Sequence, residues 1–292
     1  MTTPGASDIT ASMLLLLLIG ALRANVYLPD DRIPYHQITD PAVRSLAETS
    51  VAFVRRTNIR ALPDGRYELV GRTLTQIFRM CPDAVFADEP LMVNCSGALV
   101  KDDLVLTAGH CITPLSFPSG NPFTDFVAVF GYRQPLPGVT TTILPAEDVH
   151  ELAGLAFHAF SGGSEGLDLA LVRLKRPSTR PIAAVRRTRE LPVGTPLFIL
   201  GYPLGVPLKY VDGSGITSYN HDDRAFRHEL DTFSVNSGSP VFNTETGEIV
   251  GVHVRGTGGN THTYGRSCSE WYVARPGQDW EEANYLVDLP LF

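Results

Sequence analysis

Long apolar segments are scarce in this 292-residue chain, and that scarcity excludes several architectures at once. The only strongly apolar run is MLLLLLIGAL at 13–22. Ten residues make a helix of about 15 Å, half of a bilayer's hydrocarbon core, so no stable membrane span is expected. The run matches the hydrophobic region of an export signal. Arg23 and Ala24 follow it, which places cleavage near Ala24 or Asn25 and predicts a signal or pro segment over residues 1–25.

Helical periodicity is nearly absent as well, which excludes coiled coils and bundles. There is no glycine-rich nucleotide loop, and the histidines show no H-E-x-x-H spacing for a metal. Positive charge is not in excess: 24 Lys and Arg stand against 31 Asp and Glu, for a net charge of −7. The Arg pairs at 55–56 and 186–187 are too small for a phosphate-tracking stripe, so no nucleic-acid partner is expected. Cysteines number four, Cys81, Cys95, Cys111 and Cys268, and allow three pairings. An even count behind an export signal favours disulfides over reduced thiols.

What the chain does have is many short apolar segments bounded by turns. DLVLTAG (103–109), DLALVRL (168–174), TPLFILGY (195–202) and EIVGVHV (248–254) read as strands, and SVAFV (50–54) as another. Asp40 and Pro41 open a short helix to about Glu48, with Asp as N-cap and Pro at the first helical position. Asp279 and Glu282 have capping-box spacing before NYLV and predict a short terminal helix. The expected class is all-β.

Three segments carry chemistry. TAGHC (107–111), DLALVRL (168–174) and NSGSPVF (236–242) supply His110, Asp168 and Ser237. A serine hydroxyl is a poor nucleophile until a neutral imidazole accepts its proton. A carboxylate on the other ring nitrogen fixes the tautomer and stabilises the imidazolium that forms. The α/β-hydrolase elbow runs Ser, Asp or Glu, His and sits in G-x-S-x-G. Here Ser comes last, inside N-S-G-S-P, so that elbow does not fit.

CSGALV (95–100), LTAGHC (106–111), DLALVRL (168–174) and DTFSVNSGSPVFN (231–243) together resemble the chymotrypsin-like serine peptidases. The NSGSPVF form is similar to the bacterial branch that includes the glutamyl endopeptidases, and NVYLPDDR (25–32) resembles the start of a mature member. The resemblance runs from about residue 80 to the C-terminus, more weakly over 25–54. It implies two six-stranded antiparallel β-barrels with a short C-terminal helix. The expected layout is an extension over 26–80 that contributes a strand, then a peptidase domain over 81–292 whose barrels divide near 150–185. It also implies a secreted or periplasmic endopeptidase acting on proteins or peptides, with no cofactor and no metal. The family's disulfide beside the catalytic histidine maps onto Cys95–Cys111, leaving Cys81–Cys268 as the remainder.

In the family the oxyanion donors are the N–H groups of the nucleophile and of the residue two before it, here Ser237 and Val235. Glycine is usual at the latter place, and a β-branched residue resists positive φ. A peptide turned the wrong way loses one donor, at about 10²–10³ in rate. Asn236 stands where digestive peptidases carry an Asp for a new N-terminus, so that activation route is not expected. Val26 would instead be the counterpart of the N-terminal amine that approaches the pocket in glutamyl endopeptidases. The pocket positions disagree. Thr232 and His253 match the pocket threonine and histidine of the glutamyl endopeptidases, a resemblance that implies an acidic substrate side chain, whereas Asp231 occupies the place where trypsin-type enzymes bind Arg or Lys, unless a cation or His253 pairs with it. Two alternatives stay open: an impaired homologue serving as a binding module, and an esterase using the same triad.

Overall fold

The computed structural model describes residues 26–113, 119–160, 166–188, 191–263, 267–275, 278–287 and 289–290. The apolar run at 13–22 and the expected cleavage site lie outside the described residues, apart from Val26 on its far side. Leaving short ribbons aside, the strands begin with β1 (Ile33–Pro34), β2 (Ser50–Arg55), β3 (Val93–Lys101) and β4 (Leu104–Thr107). They continue with β5 (Phe126–Val129), β6 (Val149–Ala159) and β7 (Leu169–Leu174). There follow β8 (Pro196–Gly201), β9 (Lys209–Gly215), β10 (Ser218–Asn220) and β11 (Ala225–His228). The last three are β12 (Pro240–Asn243), β13 (Ile249–Gly256) and β14 (Glu281–Tyr285).

The first half is a closed barrel in the order β6–β7–β4–β3–β2–β5. Its strands are short and rich in valine and leucine, as a sheet curled round its own core requires. Val51, Phe53, Leu99, Val105, Leu106, Val129, Leu171 and Val172 on its staves have no exposed surface. The segment SVAFV, expected to be a strand contributed by an extension, is β2, a stave of this barrel.

The second half is an eight-stranded antiparallel sheet in the order β1–β9–β8–β12–β13–β14–β11–β10, where a second six-stranded barrel was expected. The predicted terminal helix is also replaced, because Glu281–Tyr285 forms β14 between β13 and β11. The Asp279 carboxylate caps no helix: it accepts the Arg275 N–H at 2.8 Å and the Tyr272 hydroxyl at 3.1 Å. Ladder pairing on both sides of β14 outweighs a local capping signal. The other predicted helix does form, over Pro41–Ala47, with Asp40 accepting the Ala42 N–H at 2.7 Å. It turns Val43 and Ala47 inward.

Residues ahead of the barrel wrap the second half. Val26 donates its N–H to Tyr272 O at 3.0 Å and packs with Leu74, Met80, Leu204, Val206, Phe233 and Trp271. The Arg32 guanidinium lies 4.2 Å from the Trp271 ring centre and 4.6 Å from that of Phe233, with Asp30 as its ion partner. Disulfides join Cys81 to Cys268 and Cys95 to Cys111. Closing a 187-residue separation removes about 5 kcal/mol of chain entropy from the unfolded state.

Lys209 on β9 is buried with both Glu89 oxygens at 2.7 Å from its Nζ. Burial pushes Lys209 down to about 8 and Glu89 up from its ordinary value, and the attraction between the two opposes both shifts. Removing one partner strands the other charge in an apolar site. Glu89→Gln or Lys209→Met alone should therefore cost about 3–5 kcal/mol in denaturant unfolding, and Glu89→Leu with Lys209→Met should recover most of it. Additive losses in the double variant would contradict this.

Candidate active site

His110 follows β4 in the one-turn helix Gly109–Ile112, and Asp168 directly precedes β7. Because β4 and β7 are neighbours, with Ala170 opposite Thr107, their ends bring the two side chains together. Asp168 Oδ1 accepts the His110 backbone N–H at 2.8 Å, and Oδ2 lies 2.6 Å from His110 Nδ1. That second contact makes Nδ1 the protonated nitrogen and leaves Nε2 as an acceptor. Asp168 is itself oriented from β14, donating its N–H to Asn284 Oδ1 at 2.9 Å. Gly109 is needed for closeness: a Cβ there would stand 2.4 Å from the Ala159 carbonyl and 3.1 Å from Asp168 Oδ1.

Ser237 lies in the turn before β12. The turn is closed by Asn236 N–H to Phe233 O at 2.9 Å and Ser239 N–H to Asn236 O at 2.8 Å. It is tied to β13 by Gly238 N–H to His253 O at 2.8 Å and His253 N–H to Ser239 O at 3.0 Å. The other half of the molecule grips it as well. Ser96 on β3 donates its N–H to Ser237 O at 2.9 Å and its hydroxyl to Val235 O at 2.8 Å. Gly238, at φ +87°, has no room for a side chain, since a Cβ would meet Ser96 O at 2.1 Å. Cys111 Sγ lies 3.9 Å from His110 Nε2 and 3.6 Å from Ser237 O, so one sulfur touches both residues. Among the described residues no hydrogen bond joins the Ser237 hydroxyl to His110.

Val235 adopts φ +77°, although it carries a β-branched side chain. The expectation that valine resists this region is corrected: the Ser96 bond to its carbonyl and the turn around it hold it there. Strain of this kind costs about 1–3 kcal/mol. The N–H groups of Val235 and Ser237 have no protein acceptor among the described residues.

The pocket residues separate. Asp231 belongs to a different contact from the one expected, because its carboxylate accepts the N–H of Tyr27 at 2.5 Å and of Asp31 at 3.1 Å. Among the described residues it forms no ion pair with a cation or with His253, and the Arg32 charge offsets only a small part of what burial does to it. It meets Asp31's carboxyl instead, and burial, then their mutual repulsion, raises Asp231 to about 8. Burial raises Asp31 to about 6. Thr232 is buried, and its Oγ1 has no partner among the described residues. His253 is buried too, its Nε2 3.6 Å from Glu281 and its ring 5.6 Å from that of His228. Burial, with His228, His110 and Arg255 nearby, holds it well below the usual histidine range. Asn236 is interior and accepts the Ser239 hydroxyl at 3.4 Å.

Glu281 and Asn284 were missed by sequence reasoning. The capping-box spacing of Asp279 and Glu282 reads as the start of a helix, and only the strand pairing brings Glu281 to His253 and Asn284 to Asp168. Cys95, Cys111 and His110 place three potential ligand atoms within 4.8 Å of one another. Both sulfurs are engaged in a disulfide, so no thiolate is available and the set does not suit a metal.

A family model described as the trypsin-like peptidase domain matches residues 95–252, more than half of the chain. The chain belongs to this family, and its class is that of a trypsin-like serine peptidase. It is also similar to a solved structure described as "Structure of Glu endopeptidase in complex with MPD". That match has 17% identity and a TM-score of 0.49, and covers 85% of this chain and 94% of that one. His110, Asp168 and Ser237 fall within the matched residues; His253, Glu281 and Asn284 fall beyond them.

The Asp31–Asp231 contact has a definite pH dependence. Both carboxyls have raised pKa values when segment 26–32 is docked, so the docked form holds more protons than the released one. Its stability is fully present below the unfolded value near 4 and falls as pH rises through about 6 and 8. Thermal unfolding should show a Tm that drops between pH 5 and 9, with a shallower drop in Asp31→Asn. Equal slopes in the two proteins would contradict it.

Proposed function

We propose that this chain is an exported serine endopeptidase in which Ser237 is the nucleophile, His110 the general base and Asp168 its orienting carboxylate. Ser237 Oγ attacks a peptide carbonyl while His110 Nε2 takes its proton. The same nitrogen returns the proton to the leaving amine, and water releases the acyl group by the reverse roles. The N–H groups of Val235 and Ser237 stabilise the oxyanion. Proteins or peptides are the substrates. Export rests on the run at 13–22 and agrees with two disulfides. Among the described residues no helix is long and apolar enough to cross a membrane.

The observation that carries this reading is the two-point hold of Asp168 on His110, beside a serine turn whose N–H groups at Val235 and Ser237 have no protein acceptor among the described residues. A fluorophosphonate probe should label Ser237 in the processed protein and fail to label Ser237→Ala. Absence of an adduct on the wild type would sink the nucleophile assignment and favour a binding module. Steady-state cleavage should fall about 10⁴–10⁶-fold in His110→Ala and about 10⁴-fold in Asp168→Asn. Val235→Gly should retain activity, because glycine adopts the same φ without strain. A hundredfold loss in that variant would mean that the valine side chain itself serves the reaction.

A further inference from the structure

Ser234 stands between the buried Phe233 and the strained Val235, and each of its polar groups is bonded from outside the nucleophile turn. Its N–H donates to Asn260 Oδ1 at 3.0 Å, and its hydroxyl accepts from Asn260 Nδ2 at 2.9 Å. Its carbonyl accepts the Leu204 N–H at 2.7 Å. An amide oxygen facing an N–H, with the amide nitrogen facing a hydroxyl, fixes which way round the Asn260 side chain sits. Asn260 therefore clamps one residue at two points.

The Ser234 carbonyl and the Val235 N–H belong to one trans peptide unit, in which the two groups point in opposite directions within a plane. With the carbonyl turned to Leu204, the Val235 N–H leaves on the side away from the Pro203–Gly205 turn. There it has no protein acceptor among the described residues. Leu204 is itself at φ +51°, so the donor and the residue it orients are both non-glycine residues in the left-handed region. Strain of this kind gathers where geometry serves function.

Asn260 is placed by long-range ties. It directly precedes Thr261–His262, which pairs with Glu270–Trp271, and its carbonyl accepts the Tyr272 N–H at 3.2 Å. The Tyr272 carbonyl in turn takes the Val26 N–H, and Cys268, just ahead of the ribbon, is bonded to Cys81.

We propose that Asn260 is a positioning residue of the oxyanion site: by clamping Ser234 it keeps the Ser234–Val235 peptide turned with the Val235 N–H toward the carbonyl oxygen under attack. The Leu204 N–H holds the same peptide from its carbonyl end. The proposal rests on the serine-peptidase reading above and adds to it a residue beyond the stretch 95–252 that matches the family. Ser96 acts on the other side of Val235, at its carbonyl, so the two supports are separate. Without Asn260 the Ser234 N–H and hydroxyl lose these partners, and a turn of the peptide exchanges the places of its carbonyl and N–H. An oxyanion donor gains strength only as negative charge develops, so its loss lowers kcat and leaves KM nearly unchanged.

Two measurements on the full-length, processed protein test this. In steady-state cleavage of a peptide taken from the wild-type cleavage profile, Asn260→Ala should lose about 10–100-fold in kcat, with KM within about twofold. Phenylboronic acid, whose boron takes Ser237 Oγ as a fourth ligand and sets an oxygen in the oxyanion position, should bind Asn260→Ala about tenfold more weakly. Ser234→Ala, which deletes the hydroxyl contact and keeps both backbone ones, should lose about threefold in kcat. That variant decides the matter if Asn260→Ala does not fold, and an unchanged kcat in it would then overturn the proposal. Unchanged kcat and boronate affinity in a folded Asn260→Ala, or a rise in KM alone, would overturn it as well. Boronate binding that weakens in Asn260→Ala, in a protein that cleaves no peptide, would uphold the positioning role while overturning the peptidase reading.

Discussion

Ser96 joins the two halves of this molecule, and the geometry around Ser237 depends on it. Its N–H and hydroxyl bond two carbonyls of the nucleophile turn, those of Ser237 and Val235. Its own carbonyl accepts the Thr107 hydroxyl at 2.7 Å, on the strand that leads to His110. The Ser96 hydroxyl oxygen also takes the Tyr202 N–H at 3.2 Å from the second half. A single residue of β3 therefore fixes the serine turn relative to the histidine strand. The absence of a Cβ at Gly238 is the condition for that closeness.

Each other support follows from the need to hold two chain segments in one register. The Cys95–Cys111 disulfide lies beside Ser96 and keeps the His110 turn against β3. Asn284 on β14 fixes the backbone of Asp168 from the opposite half. Segment 26–32 closes the far side, captured by Asp231 two residues before Phe233, and Phe233 packs against the buried Arg32 and, at a tilt, against Trp271. The positive φ of Val235 is the local cost of this arrangement, held in place by its surroundings.

Much of this was legible in the sequence, because the residues concerned act through local motifs. His110, Asp168 and Ser237 are flanked by the strands and glycines that present them, and β2, β4, β7, β8 and β13 follow from short apolar runs. Asp40 capping the helix Pro41–Ala47 is equally local. What escaped depends on long-range pairing. The capping-box spacing of Asp279 and Glu282 is real as a pattern, but β11 and β13 recruit the segment as a strand and bury Glu281, Glu282 and Asn284. Asp231 has the same position in the motif whichever way it faces, and only the docked N-terminal segment shows which groups bind it. The eight strands of the second half could not be counted from sequence either. Its edge strand β1 lies ahead of the whole barrel in the chain and joins the sheet only by pairing with β9.

The central claim is that the Ser96 bonds to the Val235 and Ser237 carbonyls hold the serine turn with Val235 at positive φ, the conformation that leaves its N–H open to the reacting carbonyl in the proposed reaction. The direct test is a double-mutant cycle in kcat/KM with Ser96→Ala and Val235→Gly. Losing the Ser96 hydroxyl frees a strained valine to flip and removes one oxyanion donor, about 10²–10³ in rate. In the Val235→Gly background the same φ is unstrained, so Ser96→Ala should cost about tenfold or less. Equal losses in the two backgrounds would contradict the account.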